Sequence, residues 1–149
     1  MTTSIHRQVD ALRAGKDPTL IARLSSGWAV LASPQVLTGY SLLLPDPVVA
    51  HLNALAGPAR SRFLADMATL GDALLEVTGA VRINYAIFGN LDPALHAHVF
   101  PRSASEAETM RMQQPWAHDW DHAPRFDPLV HAPLIDLIRA ALKRHGAIA

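Results

Sequence analysis

Asn84 to Arg102 reads Asn-Tyr-Ala-Ile-Phe-Gly-Asn-Leu-Asp-Pro-Ala-Leu-His-Ala-His-Val-Phe-Pro-Arg, and the fold of the chain turns on how this stretch is read. Arg82 to Phe88 is rich in β-branched and aromatic residues, Gly89-Asn90 and Asp92-Pro93 are turn chemistry, and Ala94 to Phe100 resumes an alternating pattern. The pattern predicts two strands joined by a tight connection, a hairpin or a close equivalent. Side chains alternate along a strand, so His96 and His98 share one face while Leu95, Ala97 and Val99 take the other, with the two histidine Cα atoms roughly 6 to 7 Å apart. A bare His-x-His serves equally as a solubilising pair on an edge strand or as two ligands for a metal. The flanking residues decide between such readings.

Together these residues resemble the signature of the histidine triad family of nucleotide hydrolases and transferases, His-φ-His-φ-His-φ-φ with φ apolar, often running on into Pro-Arg. Matching from Pro101-Arg102 places the family's last histidine on His98, its central, nucleophilic one on His96 and its first on Ala94. Asn84 lies where the family carries an asparagine on the preceding strand. Gly89-Asn90 with Pro93 is similar to the Gly-Asn-x-x-Pro lead-in of a bacterial branch, and Gly39-Tyr40-Ser41-Leu42-Leu43-Leu44-Pro45 looks like the strand that enters the nucleotide pocket. The resemblance extends from about Trp28 to Arg102. Two positions depart from it. Val48 stands where a histidine is usual, with His51 one helical turn too late to replace it, and Ala94 stands at the first triad position, which in the family supports the neighbouring histidines. Alanine neither donates nor accepts a hydrogen bond, so water or another side chain would have to fill that role.

The resemblance implies a small-molecule nucleotide substrate attacked at its α-phosphorus by His96, giving a nucleotidyl-histidine that water then cleaves. A neutral imidazole suits this, since its ordinary pKa of about 6.5 leaves a nucleophilic fraction near neutrality. The other nitrogen of His96 is expected on a backbone carbonyl. His98 would donate to a phosphoryl oxygen or the leaving-group bridge, and Asn84, Gly89 and Asn90 would bind the phosphate. No cofactor and no metal is demanded. A homodimer is the expectation from the family. Two other functions stay open: a nucleotide-binding protein with weak or no catalysis because of Ala94 and Val48, and a metal protein using His96, His98 and a carboxylate or the His118/His122 pair.

Length and composition set the outer limits. At 149 residues, half of them hydrophobic, the chain predicts one domain over residues 1–149, with a core at about 20–102 and an extension over 103–149. Thirteen basic residues balance thirteen acidic ones, so nucleic acid is not an expected partner. Cysteine is absent, which excludes disulfides and thiolate chemistry and fits a reducing cytoplasm. Charged residues Arg7, Asp10 and Arg13 fall where a signal peptide needs an apolar run, and no stretch suggests a membrane span.

Along the chain, Ser4 is the expected N-cap of a short helix with Ile5, Val9 and Leu12 on one face and a stop at Gly15. Leu20, Ile21 and Leu24 continue an apolar face. Trp28 to Leu31 and Tyr40 to Leu44 read as strands. Phe63, Met67, Leu70 and Leu74 mark a long helix from Pro58 to Val77, ended by Gly79, and a last helix from about Leu129 to Arg144 offers Leu134, Leu137, Ile138, Ala141 and Leu142 as its apolar side. Strands, a helix, then strands again give an α+β domain with a mainly antiparallel sheet; the family likeness adds a count of about five strands. Between the last strand and helix lies a Trp- and Pro-containing arm, which in a dimer could cover the partner's pocket. A helix through its His118 and His122 would bring two imidazoles together near Asp119 and Asp121, but a solvated, Trp-anchored segment is the preferred reading. Trp116 and Trp120 fit a core, a dimer contact or base stacking equally.

Overall fold

Residues 2–148 are described by a computed structural model. The first helix, α1, spans Ser4–Arg13. Its N-cap is Thr3, not Ser4, because the residue that answers the cap is His6: the Thr3 hydroxyl accepts from the His6 N–H at 3.2 Å, and His6 Nδ1 accepts from the Thr3 N–H at 3.2 Å. Three antiparallel strands follow, β1 (Leu20–Arg23), β2 (Gly27–Leu31) and β3 (Ser41–Pro45). β1 was not legible as a strand. A register shift between Leu20 and Ala22 leaves neighbouring Ile21 and Ala22 both buried, so the period of two is broken within four residues.

The long helix α2 covers Gly57–Thr78 and ends on Gly79, whose φ of 67° is the left-handed conformation a glycine cap adopts. β4 (Arg82–Ala86) and β5 (Ala97–Arg102) come next, and α4 (Pro128–Arg144) follows the short α3 (Glu108–Arg111). The sheet order is β1-β2-β3-β5-β4, antiparallel throughout. β4 and β5 do pair as a hairpin would, but the link between them is residues 87–96 rather than a tight turn. That loop is anchored elsewhere: the Leu95 N–H donates to the Val49 carbonyl at 2.8 Å, and the Leu95 side chain is buried.

The two faces of the sheet are used differently. Leu31, Leu43, Ala97 and Val99 pack beneath α2 and α4, against Phe63, Leu70, Leu74, Ile138 and Leu142. On α4, Ile135 takes the inward place expected of Leu137, which is exposed. On the opposite face Val30 and Leu44 pack under Ile5, Val9 and Leu12 of α1. α1 covers only one end of that face. The rest carries the histidines. Among the described residues no helix is long and apolar enough to cross a membrane.

Candidate active site

Cross-strand register places the site. Leu42 of β3, His98 of β5 and Ala86 of β4 lie side by side, with Asn84 opposite Phe100 one step further along the same face. His98 stacks parallel to Phe100 (centroids 5.8 Å apart, 8° between planes), and Phe100 stacks on Tyr40 at 4.2 Å. His96 sits just before β5, its ring centroid 5.0 Å from that of His98.

The two rings are held by different partners. His96 Nδ1 lies 2.7 Å from the Ala94 carbonyl oxygen. A carbonyl can only accept, so Nδ1 carries the proton and Nε2 keeps its lone pair. His98 Nδ1 lies 2.7 Å from the Tyr40 hydroxyl. Burial, reinforced by repulsion from His96, pulls the His98 pKa down to about 4, so the ring is neutral in ordinary buffers. Burial pushes the Tyr40 hydroxyl up and keeps it protonated.

Both histidines open into a cavity of about 440 Å³. Its lip is Gly89, Asn90 and Leu91, with Gly89 at a φ of 81° that favours glycine. Phe88 and Trp116 make an aromatic wall, edge to face at 5.2 Å, and Gln114 and Asp92 supply polar groups. Asp92 also accepts from the Ser4 hydroxyl at the start of α1. Burial works to raise its pKa, but hydrogen bonds from Ser4 and Thr3 and the nearness of His96 outweigh that and hold it below the usual carboxylate value. No lysine or arginine lines this cavity among the described residues.

Asn84 lines an adjoining cavity of about 510 Å³, which shares Phe88, Gln114 and Trp116 with the first. Its amide oxygen accepts from Arg102 Nη1 at 2.8 Å. Arg102 is buried and uses every group of its fork: Nε and Nη2 grip Glu106 at 3.0 Å, while Nη1 and Nη2 also reach the carbonyls of Gln113 and Met110. This hub folds the arm back, so that Gln114 and Trp116 line the histidine cavity of their own chain.

In sequence, no family model matches the chain and no curated protein is significantly similar to it. In structure it is similar to a histidine triad protein from Bradyrhizobium japonicum, with a TM-score of 0.70 and 21% identity over 87% of this chain and 94% of that one. It is also similar to a Hit-like protein involved in cell-cycle regulation from Bartonella henselae (TM-score 0.73, 13% identity, 94% and 96% covered) and to a zinc-bound histidine triad family protein from Mycobacterium smegmatis (0.67, 19%, 91% and 92%). The fold is that of the histidine triad proteins. At these identities the likeness is one of fold, and the chemistry is set by the residues of the site.

Ala94 and Val48, the two positions at which the sequence departs from the signature it resembles, are neighbours in the fold. Ala94 is fully buried and belongs to one apolar cluster with Ile5, Val9 and Leu44, against which Val48 also packs. Ala94 is thus an apolar plug under α1. Its backbone carbonyl is what holds His96.

The arm does not build the histidine pair considered for a metal. A single turn at Pro115–Ala117 ends before His118, which pairs with Glu106 at 2.9 Å, whereas His122 is exposed and pairs with Asp119 at 2.7 Å. Among the described residues no group of three His, Asp or Glu side chains is placed to hold a metal ion. Trp120 donates to the Pro115 carbonyl at 3.1 Å and stacks on Trp116, so it braces the arm while Trp116 faces the cavity. Base stacking was one of three readings open for Trp116, and Tyr40 was read only as part of the strand entering the pocket; the sequence gives Arg102, Phe88 and Gln114 no site role. Their places depend on how the arm folds back, which has no local signal.

Proposed function

We propose that this chain is a histidine triad enzyme that hydrolyses or transfers a nucleoside monophosphate from a small conjugate, through a nucleotidyl group on His96. The observation that carries the reading is the contact of His96 Nδ1 with the Ala94 carbonyl beside an open cavity. It leaves the Nε2 lone pair free to attack the α-phosphorus. As the P–Nε2 bond forms, the bond to the leaving group breaks; that group departs with the electron pair and takes its proton from water. Water then attacks the same phosphorus, its proton passing to solvent, and P–Nε2 breaks with the electron pair returning to the ring to restore His96. His98, being neutral, assists as a hydrogen-bond donor. Giving up a proton outright would leave it an imidazolate.

Phosphate would be held by amide donors, namely Asn90, Gln114, the backbone near Gly89, and the Asn84 amide nitrogen, which has no partner among the described residues. With Asp92 in the wall and no cation beside it among the described residues, the cavity suits conjugates carrying one phosphate better than polyphosphates, and Phe88 with Trp116 suits a planar group. A symmetric pair would form along β4, an edge strand that carries exposed Tyr85 and is flanked by exposed Val81 and Phe88.

The test is release of AMP from an adenosine phosphoramidate and a diadenosine polyphosphate in excess EDTA. Turnover is expected without metal, faster on the phosphoramidate, and reduced at least about 10³-fold in His96→Ala. AMP binding with no turnover on either conjugate would favour a binding protein instead, a reading motivated by the apolar plug at Ala94.

A further inference from the structure

Tyr40 stands immediately before β3, buried, its ring stacked on Phe100 and closed edge-on by Trp120 at 5.7 Å. This packing fixes the ring and aims the hydroxyl at one atom. Among the described residues its only partner is His98 Nδ1, at 2.7 Å. Two proton arrangements fit that distance. If Nδ1–H donated to the tyrosine oxygen, the phenolic O–H would be left in a buried site with no acceptor. If the O–H donates to the Nδ1 lone pair, both groups are satisfied at once.

We infer that Tyr40 is a positioning residue of this site, whose hydroxyl donates to Nδ1 of His98 and so keeps that ring's single proton on Nε2, facing the bound conjugate. His98 Nε2 makes no hydrogen bond and is not sealed from solvent among the described residues. The neighbouring rings are therefore set in opposite tautomers. The Ala94 carbonyl keeps a proton on Nδ1 of His96 and exposes a lone pair; the Tyr40 hydroxyl occupies Nδ1 of His98 and exposes a proton. One ring is made the nucleophile and the other the hydrogen-bond donor. Without the hydroxyl, His98 would divide between tautomers, and its Nδ1–H form would turn a second lone pair toward the phosphate. The catalytic part of this inference rests on the proposed function, but the tautomer does not.

The experiment is long-range proton–nitrogen NMR of the imidazoles in the full-length protein at pH 7.5, with His98 assigned by its loss in His98→Gln, followed by kinetics on the adenosine phosphoramidate. In the wild type, His98 should carry its proton on Nε2 and His96 on Nδ1. Tyr40→Phe keeps the stacking ring and should move His98 to a tautomer mixture, with kcat lowered about 10- to 100-fold and KM changed less than about threefold. A wild-type His98 protonated on Nδ1, or a His98 signal unchanged in Tyr40→Phe, would overturn the inference. The wild-type spectrum decides even if the variant does not fold. Absence of turnover in the wild type would count against the enzymatic reading alone.

Discussion

His98 is the residue where burial most visibly selects chemistry. Its pKa is drawn from 6.5 to about 4 by burial and by the neighbouring His96, so between those values the unfolded chain binds a proton that the folded one refuses. Stability is then full above about pH 6.5 and declines as pH falls toward 4. For a ring part open to solvent, the loss at pH 5 should be about 1 kcal/mol after allowing for screening. Denaturant unfolding of the wild type and His98→Phe at pH 7.5 and pH 5 checks this. The variant should lose less stability by about that amount, and equal losses would refute the assignment. The pair itself was legible because the His-x-His spacing needs only neighbouring residues, although the strand expected from Ala94 begins at Ala97 and leaves His96 just before it. The support of each ring was not. Tyr40 and His98 are 58 residues apart, and the carbonyl of Ala94 does its work whatever side chain that residue carries.

At the scale of elements, the turn residues were read correctly and their scale was not. Gly89-Asn90 and Asp92-Pro93 shape residues 87–96 into a loop that leaves β4 at Ala86 and is held by Val49 and by the start of α1. The arm depends on Arg102, which the sequence presents only as the end of a strand. Burial works to raise the Glu106 pKa, but Arg102, the Ser103 N–H and His118 outweigh it and hold it low. Arg102→Met should therefore cost about 1–3 kcal/mol, by taking the shared donor from half-buried Glu106, the Asn84 amide and the carbonyls of Met110 and Gln113. Residues 103–118 should become open to limited proteolysis while α2 and α4 stay protected. An arm as resistant as in the wild type would show that the aromatic contacts of Trp116 and Trp120 alone suffice to hold it.

For the whole molecule, the division of labour is between the faces of one sheet. α2 and α4 cover one face, and their helical periods were legible because each spans many turns; β1 escaped because a bulge broke its alternation. The other face is shared between α1, which plugs the region of Ala94 and Val48, and the arm, which brings Gln114 and Trp116 to the histidines. Between them lies a cavity that has, among the described residues, a free imidazole nitrogen and no positive side chain. In the proposed reaction this nitrogen, Nε2 of His96, takes the nucleotidyl group. The most direct measurement is intact-protein mass spectrometry after mixing with adenosine phosphoramidate and denaturing at alkaline pH within the first turnover. The wild type should gain one adenylyl group per chain and His96→Ala none. Turnover with no adduct in the wild type, or an adduct that persists in His96→Ala, would contradict it.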